Sequence, residues 1–296
     1  MTLTIRPLDS LDELRAVEEL QRQVWDSGDL EVAPLHILTT VAHNGGLLLG
    51  AFDDDVLVGV VFGFLGTDAA NPDRPALVRL KHCSHMLGVL PHYRDHSLGY
   101  QLKLAQREFV IKQGIRLITW TYDPLESRNA RLNIARLGAV CHTYQRNIYG
   151  EMADALNAGL PSDRFQVEWW ITSARIQERL FGQRAALVLD SFLSADAPIL
   201  NPSEVAADDG LPRPAHDPRA PDGTFALIEI PSDFQAIKAH DLALARAWRQ
   251  QTREILETVF ANGYLVTDFF HETLEGRRRS FYALSFGHGP ADVNDD

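Results

Sequence analysis

Basic residues are in short supply. The 296-residue chain carries 28 Lys and Arg against 40 Asp and Glu, a formal net charge of −12. It therefore lacks the basic surface that neutralising a nucleic-acid backbone requires, and its acidity reads as a solubility device. Cysteine is scarcer still: Cys83 and Cys141 stand alone, without metal-type spacing. That excludes a disulfide scaffold and a cysteine metal centre, and implies reduced thiols. No long apolar run is present. Val56 to Leu65 is the longest stretch, well short of the ~20 residues needed to span a bilayer. The start, Met1-Thr2-Leu3-Thr4-Ile5-Arg6, has no basic segment leading into an apolar one, so no secretory leader is expected and a cytoplasmic location is. Asp53-Asp54-Asp55 is an acidic run without further ligands at loop spacing; it reads as a solvated hairpin turn, and no metal is expected.

What is present is a globular composition, 45% hydrophobic and 23% charged, with length for one large or two modest domains. Leu3 to Pro7 alternates as an edge strand. Ser10 and Glu13 stand in capping-box register before Leu11, Leu14, Val17, Leu20 and Val24, which follow helical spacing to about Gly28. Pro34 opens a second helix that stops at Asn44-Gly45-Gly46. Two strands flank the acidic turn, and a Pro/Asn/Asp loop runs from Asp68 to Pro75.

The central stretch is Leu80 to Tyr100. It reads as a strand stopped by Pro91, a turn holding Arg94, Ser97 and Gly99, and a helix running to Gln113. A helix start reached through a short turn favours an anion, because its first N–H groups have no intrahelical partner and the dipole adds positive potential. Arg94 supplies a cation. The segment thus predicts a cradle for a phosphate or diphosphate. Beyond it, Arg116 to Tyr122 reads as a strand, Ala130 to Leu137 as a helix after the turn Asp123 to Asn129, and Ala139 to Tyr149 and Phe165 to Ile171 as extended. Asp190 to Asp222 is rich in Pro, Asp and Ala, a linker or covering loop. Phe225 to Ile230 is a strand, Asp233 to Asn262 one long helix, and Tyr264 to Phe270 with Ser280 to Phe286 a closing hairpin. The expected divisions are a core over 1–182, a linker over 183–224, a β-α-β-β subdomain over 225–289 and a frayed tail over 290–296.

Leu87-x-Val89-x-Pro91-x-Tyr93-Arg94, followed by Arg94-x-x-Ser97-x-Gly99, resembles the acyl-CoA-binding motif of the GNAT N-acyltransferase superfamily. Ser97 stands where that family usually has its first Gly, and a Cβ there predicts ordinary dihedrals. The strand and helix order up to Gly150 is similar to the GNAT core. Ser127, Ala130, Ile134 and Gly138 fall on the family's second coenzyme-contacting motif, with Ile134 where a Tyr is common. The resemblance implies a mixed α/β fold, a central and mostly antiparallel sheet flanked by helices, here with a C-terminal extension. It implies an acyl-CoA co-substrate, acetyl-CoA or succinyl-CoA, with Leu87, Gly88, Val89, Arg94, Asp95, His96, Ser97, Leu98, Gly99, Tyr100, Asn129 and Asn133 as coenzyme contacts. Asp123-Pro124-Leu125-Glu126-Ser127-Arg128-Asn129, Tyr144-x-x-Asn147-x-Tyr149-Gly150 and Asp163-Arg164-Phe165 resemble a larger two-part subgroup found alongside N-acylamino acid racemases.

The reaction so implied is attack of an amine on a thioester, which needs a base, N–H donors for the oxyanion and an acid for the thiolate. Regular strand alternation puts Lys81, Cys83, His85, Leu87 and Val89 on one face; some members of the family it resembles carry their base on Val89's face, and the resemblance thereby implies His85 as the base over His82. Tyr144, or else Tyr149, is the candidate acid. Arg128 and Arg164 are candidate clamps for a substrate carboxylate. The expected partner is a small-molecule amine, with no nucleic acid and no membrane, and a homodimer is the compatible assembly. A non-catalytic acyl-CoA sensor and a protein lysine acetyltransferase are the alternatives.

Overall fold

The computed structural model describes residues 3–26, 32–69, 72–182, 187–205 and 209–287. The side chain of Asp95 and the expected tail over 290–296 lie outside what is described. The chain divides into two compact units, one of residues 1–120 and 152–158, the other of residues 121–151 and 159–296. They do not follow the expected divisions at 182 and 224.

In the first unit, β1 (Leu3–Pro7) leads into α1 (Leu11–Trp25). The capping box forms as its spacing predicts: Glu13 N–H donates to Ser10 Oγ at 3.2 Å and Ser10 N–H to Glu13 Oε2 at 3.1 Å. The Arg6 guanidinium, 2.6 Å away, and the Ser10 and Asp9 amides hold the Glu13 carboxyl down at about 2. α2 (Leu35–His43) follows Pro34, then β2 (Leu47–Asp53), β3 (Val56–Thr67), β4 (Leu80–Val89), α3 (Leu98–Lys112) and β5 (Leu117–Tyr122), whose first four residues belong to this unit. The strand order is β1-β2-β3-β4-β5; the first four pair antiparallel and β5 runs parallel to β4.

Two apolar layers sandwich these strands. Leu14, Val17 and Leu20 of α1 and Leu38 of α2 pack on Leu48, Phe52, Val60 and Phe62. Leu98 and Leu102 of α3 pack on Leu47, Leu49, Val58, Val61 and Val89 across the other face. Strand alternation is not regular, however. Phe62 pairs with Met86 but Gly63 with Ser84, so His85 is an extra residue, a β-bulge. Before it, His82 and Ser84 bond to α3. After it, Leu87 and Val89 face α3, while Met86 joins the α1 and α2 layer. The expectation that His85 shares a face with Leu87 and Val89 is thus corrected. Its ring packs on Phe62 and Phe64, with centroids at 5.5 and 6.0 Å, on the α1 and α2 side.

In the second unit, α4 (Ser127–Ala130) continues as a π-helical turn (Arg131–Arg136), followed by β6 (Val140–Gln145), β7 (Arg164–Trp170) and α5 (Ala174–Leu180). Then come α6 (Leu189–Ser194), the short pair β8 (Glu204–Val205) and β9 (Pro212–Arg213), β10 (Phe225–Ile230), α7 (Phe234–His240), α8 (Leu242–Ala261), β11 (Tyr264–Leu274) and β12 (Arg277–Phe286). The strands run β7-β6-β11-β12-β10, antiparallel throughout. The C-terminal strands therefore extend the β6–β7 hairpin rather than forming a separate sheet. The long helix expected from Asp233 to Asn262 breaks at Asp241, whose extended backbone and side chain, accepting from Leu244 N–H, start a new helix. The Pro-rich segment is a covering loop in part: Leu189 and Phe192 pack on Leu227, Phe270 and Phe281, and Leu227 exchanges backbone hydrogen bonds of 2.8 Å with Pro198 and Leu200.

Gly63, opposite the bulge, is sterically obligatory. A Cβ there would lie 2.3 Å from His82 Nε2 and 2.8 Å from the Cys83 carbonyl oxygen. Gly63→Ala is expected to lower stability by about 1–3 kcal/mol, the usual cost of overpacking, measured by urea unfolding.

Candidate active site

The β4–α3 junction is built from local rules. Pro91 has no N–H to continue the ladder, and Pro91–His96 forms a 3₁₀ turn. Ser97 then takes φ 56°, ψ 19° before α3 begins. The expectation of ordinary dihedrals at Ser97 is corrected: the serine adopts the left-handed conformation for which a glycine is cheaper. Its hydroxyl makes no capping bond to the helix. Leu98 is buried, Gly99 and Tyr100 are half-buried in that first turn, and His96 is exposed. Gly88 is buried against α1; a Cβ there would come within 2.8 Å of the Trp25 ring. Arg94 is half-buried, donating Nε–H to the Val89 carbonyl at 3.1 Å and Nη2–H to the Val24 carbonyl at 3.2 Å. The guanidinium thus ties the end of β4 to the end of α1 as well as placing positive charge at the junction.

Beside this junction the sheet opens. β4 pairs with β5 at His82↔Ile118 and Cys83↔Thr119, and at no later position among the described residues. Ser84 to Val89 continue β4 with β3 on one side and no β5 ladder on the other. At the parting point lies a polar cluster: Lys103 Nζ donates to Ser84 Oγ at 2.8 Å and to Gln106 Oε1 at 3.2 Å, and Gln106 Nε2 lies 3.1 Å from His82 Nε2. Burial brings the Lys103 amine down to about 7, and burial with the nearby Lys103 charge brings His82 down to about 4. His85 stands on the bulge with an exposed edge, and desolvation holds its imidazole below its usual value.

The remaining candidates lie in the second unit. Asn129 and Arg128 are exposed, and Asn133 is buried in the π-helical turn. Ser127 Oγ lies 3.2 Å from His271 Nδ1 and 2.8 Å from Ser280 Oγ. Two of the candidates have internal partners. Arg164 is 7% exposed, donates to the Asp163 carbonyl at 2.8 Å and stands 3.8 Å from Asp123 Oδ2, so its guanidinium is engaged inside the protein. Tyr144 donates its hydroxyl to Asp163 Oδ2 at 2.7 Å, and burial pushes the phenol far up, so its proton is committed inside the protein. Tyr149 is half-exposed, its hydroxyl 2.7 Å from Thr121 Oγ1.

Sequence reasoning missed the charge network that engages these side chains. Arg249 on α8 grips Asp123 with both terminal nitrogens, and Arg253 grips Asp163 at 2.8 and 2.9 Å. Burial pushes the Asp163 carboxyl up, but the bonds from Arg253, Tyr144 and the Asn147 amide outweigh it and hold it below the ordinary range. It also missed Lys103 and Gln106. Their signal was available: both fall beside Leu102 and Val110 on the stripe of α3 that faces the strands.

No family model and no curated protein matches the chain. Among solved structures, the chain is similar to the NatC complex bound to a Gag peptide and CoA, at 16% identity over 58% of this chain and 100% of that one, TM-score 0.47. It is also similar to Arabidopsis thaliana NAA60 in complex with a bisubstrate analogue (15% identity, 57% and 99% covered, TM-score 0.46). A third is the ribosomal-protein-S18-alanine N-acetyltransferase from Escherichia coli (14% identity, 58% and 96% covered, TM-score 0.43). No residue role transfers at this level of likeness.

Arg249 is 3% exposed, and removing it takes away the bidentate partner of Asp123 and leaves Arg164 at 3.8 Å. Arg249→Ala is expected to cost about 3–5 kcal/mol, as for other broken buried pairs, and the midpoint of thermal unfolding checks it.

Proposed function

We propose that the chain is an acyl-CoA-dependent N-acyltransferase that moves an acyl group from a thioester to the amine of a small molecule. The observation that carries the reading is the parting of β4 from β5 after Cys83↔Thr119, next to the start of α3. An extended pantetheine arm can hydrogen-bond to Ser84–Val89 as an added strand would. The first amides of α3 and the Arg94 guanidinium then face a diphosphate. Leu87, Gly88 and Val89 are the arm's backbone partners, and His96 to Tyr100 surround the diphosphate. A β4 amide near Val89 is the donor for the oxyanion.

His85 is the base in this reading. The bulge turns it away from the α3 side, where Leu87 and Val89 pack. Its lowered basicity keeps it neutral and able to accept a proton near pH 7. The amine attacks the thioester carbon, its proton passes to His85, the carbon–sulfur bond breaks, and the thiolate leaves. A coenzyme-binding protein without turnover is the second reading. The commitment of the Tyr144 hydroxyl to Asp163 favours it, because the expected proton donor is engaged elsewhere.

Calorimetry with free CoA is expected to show binding, and Ser97→Val, which puts a β-branched residue at positive φ, is expected to weaken it. Mixing the protein with acetyl- or succinyl-CoA and a panel of amines should release thiol. His85→Ala should lower that rate by about 10²–10⁴-fold, the usual contribution of a positioned base. The activity of the parent protein should fall as acidification protonates His85, with a midpoint below the ordinary imidazole value of about 6.5. No calorimetric response to CoA would overturn the reading, and binding without turnover for any amine would favour the second.

A further inference from the structure

Lys103 is a buried cation to which acyl transfer gives no task. It projects from α3 with 2% of its surface exposed. Its Nζ donates to Ser84 Oγ at 2.8 Å and to Gln106 Oε1 at 3.2 Å, and stands 3.7 Å from the centroid of the Trp120 ring. Among the described residues no carboxylate joins this cluster.

The positions of its partners are informative. Ser84 is the first β4 residue after the last β4–β5 pair, and Trp120 is the first β5 residue after it. One ammonium therefore engages one side chain from each strand at the register where the strands part. Burying an ammonium among neutral partners costs free energy, because the lost hydration is not returned by an opposite charge. The amine's fall to about 7, caused by desolvation, is the sign of that cost. An apolar side chain would suit stability better here, so the cost points to a task.

We propose that Lys103 is a positioning residue: held between Ser84 of β4 and the face of Trp120 of β5, its ammonium sets the separation of the two strands at the base of the fork and keeps the β4 edge open. The ammonium is attracted to the ring face and to the hydroxyl at once, so it fixes a spacing that an apolar side chain does not specify. The coenzyme consequence rests on the acyl-CoA reading; the spacing itself does not.

Lys103→Met and Lys103→Arg, compared with the parent protein, test this. In the Met variant the strands are expected to close, slowing hydrogen exchange of the β5-side amides within Ser84–Val89. CoA affinity is expected to fall by at least about tenfold, while the melting temperature at about pH 6, where the amine is charged in both folded and unfolded chains, does not fall. The Arg variant, which keeps a cation on the ring, should recover most of the affinity. Unchanged exchange in the Met variant, with CoA affinity within about twofold of the parent, would overturn the proposal. So would unchanged exchange with an affinity loss matched by a lower melting temperature. If the parent protein binds no CoA, the acyl-transfer reading fails alone, and exchange still decides: slowed amides uphold the spacer and unchanged amides overturn it.

Discussion

Backbone hydrogen bonds are the constraint on which the rest of this structure depends. Every buried N–H and C=O needs a partner, and among the described residues β4 pairs with β5 only at His82 and Cys83. From Ser84 onward one edge of a central strand is offered to something other than the sheet. The neighbouring features serve that edge. The bulge at His85 ends the α3-facing alternation and restores it two residues later at Leu87. Pro91 ends the strand, and Ser97 accepts a left-handed conformation so that α3 can start within a few residues. Arg94 fastens the end of β4 to α1.

The energetics divide the same way. The apolar layers on the two faces of the first unit are conventional and account for its stability. The polar groups at the fork, Lys103, Ser84, Gln106 and His82, run against that economy, since each is buried and stability alone would replace them with aliphatic side chains. In the second unit several carboxylates are paired with arginines: Asp123 with Arg249 and Arg164, Asp163 with Arg253, Glu229 with Arg279. These pairs cross-link α8 with the turn after β5 and the start of β7, and β12 with β10. They fix geometry more than they add stability.

Much of the architecture was legible in the residues. Ser10 with Glu13, Pro34, and the run from Leu80 through Gly99 each encode a local decision that chemistry near in sequence makes. What was not legible depends on partners far away in sequence. The bulge arises where β4 must align with both Phe62 and Gly63, so a count of alternating residues along β4 alone misassigned the side of His85. Arg164 and Tyr144 look like surface chemistry until α8 brings Arg249 and Arg253 to Asp123 and Asp163. The break at Asp241 was readable in principle, because Asp is a strong N-cap, but the apolar spacing continues across it and hid it.

The central claim is that the open edge of β4 and the start of α3 form one ligand surface. Hydrogen exchange of the parent protein with and without CoA tests it most directly. The account predicts that CoA slows exchange in two places together, at Ser84–Val89 and at the first-turn amides Leu98–Tyr100. Exchange at both segments that is unchanged by saturating CoA would contradict it.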